Sequence, residues 1–196
     1  MSIRVLIPLG KGFEEVEAVS VIDVLRRVGC EVILAAVDEE SQKTLIAESQ
    51  SGLKIGVNVK ITEVLASSLD SIVLPGGWEG TQNLIKSKEV GALLADLHKR
   101  GRVIGAICAA PLALFKHDIL TNQNFTCYPS IEENIANQNY IPHQAVVKDG
   151  NLITSRGPAT ALCFGFALAK ELVGEAKTRE VQSGMLAYEF NKNGVE

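Results

Sequence analysis

Cys108 and Glu17 are the side chains of this chain best suited to covalent chemistry. Cys108 stands in Arg102-Val-Ile-Gly-Ala-Ile-Cys-Ala-Ala-Pro111, where an apolar run of strand character ends on a thiol and a helix-forming stretch begins. A strand that turns sharply into a helix throws the residue at the turn off the sheet edge, toward the positive end of the helix. Backbone N–H groups and the helix dipole there favour thiolate over thiol. This is a nucleophile elbow with sulfur in place of oxygen, and it implies a cysteine enzyme or a redox sensor. The competing reading is a cysteine that simply packs, since free cysteine is among the most buried residue types.

Glu17 closes the run Gly12-Phe-Glu-Glu-Val-Glu17 at the start of a helix. Glu14 and Glu15 are ordinary complements of a helix N-terminus. Glu17 follows apolar Val16 and is placed to face inward. An ionised carboxylate beside sulfur raises the thiol pKa, whereas one kept protonated by burial donates a hydrogen bond and lowers it. The second case is the expected one, and it leaves Glu17 able to carry protons at the sulfur or substrate.

Gly76 and Gly77 end another apolar run at Pro75-Gly-Gly77. They read either as a tight turn needing positive φ or as bare backbone that approaches a substrate oxyanion, the Gly77 N–H pairing with that of Cys108. Trp78 follows directly, at a pocket mouth or as a cap on the core. Thr154-Ser-Arg-Gly-Pro158 precedes a helix; it reads as an anion site, or as capping by Ser155 with a structural ion pair from Arg156. His98, His117 and His143 have no triad context. The four cysteines are scattered, with no Cys-x-x-Cys and no zinc-type cluster, so reduced thiols in a cytoplasmic protein are expected. Cys30 and Cys163 read as packing residues. Cys127 adjoins a strand end that could border the same pocket.

Alternating elements position these groups. Strands are expected at Ile3–Pro8, Glu31–Val37, Ser71–Leu74, Val103–Ile107 and Phe125–Cys127, with a hairpin excursion over Thr44–Ile61. Helices are expected over Glu14–Val28, Thr62–Leu69, Lys88–Lys99, Ala109–Phe115, Ala159–Val173 and Glu175–Tyr188. Ala145–Val147 and Leu152–Thr154 flank an Asp149-Gly150 turn. Buried strands alternating with helices imply a mainly parallel sheet covered on both faces, with its site outside the carboxyl ends of the strands. The loop after the first strand, Pro75-Gly-Gly77 and Cys108 all fall there.

The chain has 196 residues, 46% hydrophobic and 21% charged, which suits one α/β domain over residues 1–196. Its net charge of −4 comes without a basic stripe, which argues against binding nucleic acid through phosphate. No secretory signal and no run long enough to span a bilayer is read.

Lys11-Gly-Phe-Glu-Glu-Val-Glu17, Val24-Leu-Arg-Arg-Val-Gly29, Ile72-Val-Leu-Pro-Gly-Gly77, Ala106-Ile-Cys-Ala-Ala-Pro111 and Leu152-Ile-Thr-Ser-Arg-Gly-Pro158 together resemble the ThiJ/PfpI superfamily. The resemblance is to its branch of the Parkinson-associated protein deglycase and bacterial relatives. It implies a flavodoxin-like three-layer sandwich, class I glutamine amidotransferase-like, usually a homodimer. Cys108 matches the family's reactive cysteine, which oxidises readily to sulfinic acid. Glu17 matches the glutamic acid bonded to that sulfur, and Gly77 a backbone oxyanion donor. Gly76, Ala109, Tyr128 and Trp78 are expected to face an oxyanion or to line the pocket. The branch's activities are cofactor-free conversion of methylglyoxal or glyoxal to hydroxy acids, repair of early glycation adducts, and redox-dependent chaperoning.

Two departures from the pattern matter. Protease-type members carry His directly after the nucleophile, where this chain has Ala109. The close branch often has a histidine where Cys127-Tyr-Pro129 places Tyr128, which could still donate a hydrogen bond. Cys127 could then resolve a sulfenic acid. The expectation is a glyoxalase or deglycase needing neither glutathione nor metal, acting on a small aldehyde or glycated substrate. The alternatives are a redox sensor or redox-gated chaperone, and a cysteine hydrolase, which needs a histidine near the sulfur.

Overall fold

Apolar, often β-branched runs form the strands of the computed structural model, which describes residues 2–187. In chain order the elements are β1 (Arg4–Leu9), α1 (Glu15–Arg27), β2 (Glu31–Ala36), α2 (Glu39–Thr44), β3 (Ile46–Glu48), β4 (Lys54–Gly56), β5 (Val59–Lys60), β6 (Ser71–Leu74), α3 (Trp78–Lys86), α4 (Lys88–Lys99), β7 (Val103–Ile107), α5 (Pro111–Lys116), β8 (Val146–Asp149), β9 (Leu152–Ser155), α6 (Ala161–Val173) and α7 (Glu175–Gly184). Seven strands make the main sheet in the order β5-β2-β1-β6-β7-β9-β8, all parallel except β8, which runs antiparallel to β9. This is the expected flavodoxin-like arrangement.

Side chains alternate across each strand, so a sheet covered on both faces builds two cores. Val5, Ile7 and Leu9 of β1 point to one, with Val21, Val24 and Leu25 of α1 and Phe164 and Leu168 of α6. Leu6, Ile72, Leu74 and Ile104 point to the other, with Leu94 and Leu97 of α4 and Leu112 and Leu114 of α5. Helices α1 and α6 approach closely because Gly165 has no side chain. A Cβ there would sit 3.2 Å from Val24 Cβ.

Several expectations are corrected. The excursion over 44–61 holds a short β3–β4 hairpin, but Val59–Lys60 leaves it to extend the main sheet beside β2. Residues 62–69 make two 3₁₀ turns, Ile61–Glu63 and Ala66–Ser68, rather than one helix. Phe125 makes only an isolated bridge to Tyr140. The helix after Cys108 starts at Pro111, since the elbow takes residues 108–110 as a turn. The last helix ends at Gly184, and Tyr188 lies outside the described residues. Helix α3 is absent from the expected elements, although it buries one face through Gly80, Thr81 and Leu84. Its Gly80 lowers helix propensity but is needed for contact, because a Cβ there would lie 2.8 Å from Phe13 Cα.

Candidate active site

Three carboxyl-end loops of the sheet converge on Cys108. The residue has φ of 65°, a left-handed conformation that a side chain with a Cβ rarely adopts. Both of its backbone groups are pinned. Its N–H donates to the Ser155 carbonyl at the end of β9 (3.0 Å), and its carbonyl accepts from the Tyr128 N–H (2.9 Å). Strain of this kind persists when the surroundings over-determine it, and these two bonds supply that constraint. The sulfur is left half-buried.

The N–H of Cys108 is therefore not available to an oxyanion, contrary to the pairing expected from sequence. The N–H groups directed at the sulfur belong to Gly77 and Ala109, and both favour its thiolate. Ala109 is a donor through its backbone, so its side chain carries no signal of the role. Gly76 is not an oxyanion donor either, because its N–H donates to Glu17 Oε2 at 2.8 Å.

Both glycines are also sterically required. A Cβ at Gly76 would meet Cys108 Cβ at 2.6 Å and Glu17 Oε2 at 2.7 Å, so thiol and carboxyl crowd the same point. Gly77 has φ of 83°, and a Cβ there would lie 2.2 Å from the Gly12 carbonyl oxygen. The turn reading and the donor reading thus hold at once for Gly77.

Glu17 is fully buried in the first turn of α1. The N-cap Glu14 fixes that turn by accepting from the Glu17 N–H at 2.7 Å. Glu17 Oε1 has no hydrogen-bond partner of the usual kind, and the Cys108 thiol is the group its carboxyl perturbs. Burial pushes the Glu17 carboxyl up to about 7, against the bond from Gly76. Burial, then the charge of an ionised Glu17, push the Cys108 thiol up to about 12. The two groups resist being charged together and form a coupled pair with one easily held negative charge. A low thiol pKa therefore requires Glu17 to hold the proton, as the sequence argument demanded.

The other predicted residues divide. Trp78 opens α3 next to Gly77 and is exposed, as is Tyr128. Cys127 is fully buried in the core opposite the one Cys108 packs against. Its Sγ lies 3.8 Å from Glu132 Oε2, which directs it away from a resolving role at Cys108. Cys30 is buried as expected, but Cys163 is exposed on α6. Ser155 Oγ bonds Ala145 O and Thr160 Oγ1, and Arg156 reaches Tyr140 Oη at 3.5 Å. Among the described residues Arg156 makes no ion pair. His117 Nε2 bonds the Leu84 carbonyl at 3.0 Å, and none of the three histidines bonds the Cys108 sulfur. Among the described residues no three His, Cys, Asp or Glu side chains group as a metal would need, and no helix is long and apolar enough to cross a membrane.

The sequence profile of the DJ-1/PfpI family matches residues 3–171. Protein dj-1beta of Drosophila melanogaster is 38% identical over 187 residues, covering 95% of this chain and 98% of the relative. Its crystal structure superposes with a TM-score of 0.89 at 39% identity, over 95% of this chain and 98% of that one. A glutathione-independent glyoxalase of Caenorhabditis elegans is 32% identical, over 86% of this chain and 87% of its own length. A structure described as oxidized DJ-1 of Toxoplasma gondii matches at 30% identity with a TM-score of 0.88, over 94% of this chain and 98% of that chain.

Proposed function

The chain belongs to the DJ-1/PfpI family, and from that premise we propose that it is a cysteine-dependent, cofactor-free glyoxalase that also removes early glycation adducts. The observation that carries this reading is one half-buried sulfur, held at positive φ, facing two backbone N–H groups and a carboxyl lifted to about 7. A family relative named as a glutathione-independent glyoxalase supports it.

The geometry supports the following steps. The Cys108 thiolate attacks the aldehyde carbon of methylglyoxal. A C–S bond forms, and the carbonyl electron pair moves to oxygen, which receives the Glu17 proton while the Gly77 and Ala109 N–H groups hold it. The carboxylate thus formed removes the remaining hydrogen from that carbon as a proton, and the electron pair moves to the ketone oxygen. The hydroxyl proton of the first carbon passes to that oxygen as Glu17 returns its proton to the neighbouring carbon. The first carbon is oxidised and the second reduced, which leaves a lactoyl thioester. Water cleaves the C–S bond to release lactate and restore the thiol. With an early glycation adduct the sulfur displaces the amine, which leaves carrying the Glu17 proton. Lactate formation from methylglyoxal, followed in wild type and Cys108→Ser, tests the scheme; turnover by the serine variant at the wild-type rate would end it.

The same donors favour a second role as a peroxide sensor or redox-gated chaperone. Oxygens added to the sulfur would find the Gly77 and Ala109 N–H groups and a protonated Glu17, and a relative has been described in an oxidized form. The hydrolase alternative is dropped, because it needs a histidine on the sulfur. A homodimer is part of the proposal. It is supported by exposed Val16 and Val19 on α1 and by a groove of about 930 Å³ lined by Val16, Leu162, Cys163 and Phe166. A cytoplasmic setting is supported by four free cysteines.

A further inference from the structure

Among the described residues only two aromatic side chains stand exposed, Trp78 at 56% and Tyr128 at 51%. Scattered apolar residues on a surface need no explanation. These two are not scattered, because each is joined directly to a group that holds the Cys108 sulfur. Trp78 shares a peptide bond with Gly77, whose N–H faces the sulfur. Tyr128 donates its backbone N–H to the Cys108 carbonyl at 2.9 Å.

The backbone is anchored at both aromatic residues. The Tyr128 ring lies over Gly157, where a Cβ would come within 3.3 Å of ring Cδ2. Trp78 is the first residue of α3, and Gly80 docks that helix onto the backbone of Phe13. Two exposed aromatic residues are thus fixed by their backbones beside the residue that carries the sulfur. A flat ring on a substrate gains by stacking or edge contact with such groups, and a puckered ring of the same carbon count gains far less.

We propose that the site selects 2-oxoaldehydes whose second carbonyl carries a flat ring, with Trp78 and Tyr128 as its specificity determinants. The inference rests on Cys108 as the attacking thiol, yet its binding component can be tested without turnover. Trp78 is the chain's only tryptophan, so its fluorescence reports a ring that arrives beside it.

The experiment titrates the protein with mandelate, the product expected from phenylglyoxal, and with its cyclohexyl counterpart hexahydromandelate. Mandelate is expected to quench Trp78 saturably and to bind ~3–10-fold tighter. The preference should collapse in Tyr128→Leu and persist in Cys108→Ser. In parallel, the ratio of kcat/KM for phenylglyoxal over cyclohexylglyoxal is expected to fall toward unity in Trp78→Leu and Tyr128→Leu. Equal binding of the two acids, or a preference untouched by either leucine variant, overturns the proposal. A mandelate preference in a protein inert toward every oxoaldehyde would sink the glyoxalase reading and leave the ring site standing.

Discussion

Among the described residues two thiols have a carboxyl as hydrogen-bonding neighbour, and the two pairs are unequal. Cys108 faces Glu17, and Cys127 faces Glu132 at 3.8 Å. In both, burial first and the carboxylate second push the thiol up to about 12. The difference lies in the backbone and in access. Cys108 sits at positive φ, half-buried, with the Gly77 and Ala109 N–H groups on its sulfur. Cys127 has ordinary φ and is fully buried. The carboxylates differ too, because Glu17 is fully buried and lifted to about 7, whereas Glu132 is partly exposed. An acidic neighbour therefore does not make a cysteine reactive. Cys127 also has a backbone donor, the Glu132 N–H, so what the second pair lacks is the strained turn, the access and a carboxyl buried enough to keep a proton.

The comparison breaks most directly by substitution at each sulfur. Cys108→Ser is expected to lower lactate production from methylglyoxal by more than ~1,000-fold, since a serine hydroxyl without a base is a poor nucleophile. Cys127→Ser should stay within about two-fold if it folds, the cost falling on stability instead. It would place a hydroxyl in the apolar core at roughly 1–3 kcal/mol, seen as a lower urea midpoint.

Exchanging the carboxyls gives the next largest effects. Glu17→Gln should reduce turnover by ~100-fold or more through loss of the proton carrier. The same change should speed alkylation of Cys108 by iodoacetamide at about pH 8.5, because the carboxylate charge that suppresses the thiolate there is gone. Slower alkylation would show that the Glu17 proton, rather than its charge, governs the sulfur. Glu132→Gln is expected to leave both readouts near wild type.

Glu17 also links stability to pH. Its value in the fold, about 7, lies above the ordinary 4.5, so the folded state holds the proton more tightly than the unfolded chain. That contribution is complete below about pH 4.5 and fades as pH rises through about 7, an effect of roughly 3 kcal/mol. Urea titrations of wild type and Glu17→Gln should therefore show wild type losing ground to the variant between about pH 5 and pH 8. A constant difference would mean that Glu17 is not held protonated.

The smallest expected effect is one of selectivity. Under mild peroxide, intact-mass and peptide analysis should find added oxygen at Cys108 before Cys127, by at least ~10-fold in rate. Reaction at Cys127 ahead of Cys108 would remove the sensor reading.

Much of this site is legible because its chemistry sits at boundaries between regular elements. An apolar run that stops on Cys108, another that stops on Gly76-Gly77, and an acidic first turn ending in Glu17 are local patterns that survive without coordinates. The sheet class follows from the same alternation. Helix α3 is harder to read because Gly80 answers to Phe13, far away in sequence. The 3₁₀ turns of residues 61–68 lack the length that makes a period visible. The donor at Ala109 is legible only from its place directly after Cys108, since any residue but proline carries an N–H.

By itself the sequence determined which residues can do chemistry and that their elements end on one side of a parallel sheet, because hydrophobic period and turn chemistry are local properties. Only the tertiary structure decided which N–H groups reach the sulfur, that Glu17 is buried enough to keep a proton near neutral pH, and that Cys127 faces the opposite core. Those outcomes depend on a bond from β9, on exclusion of water by packed layers, and on which side of the sheet a side chain leaves. None of them is a property of any stretch of chain taken alone.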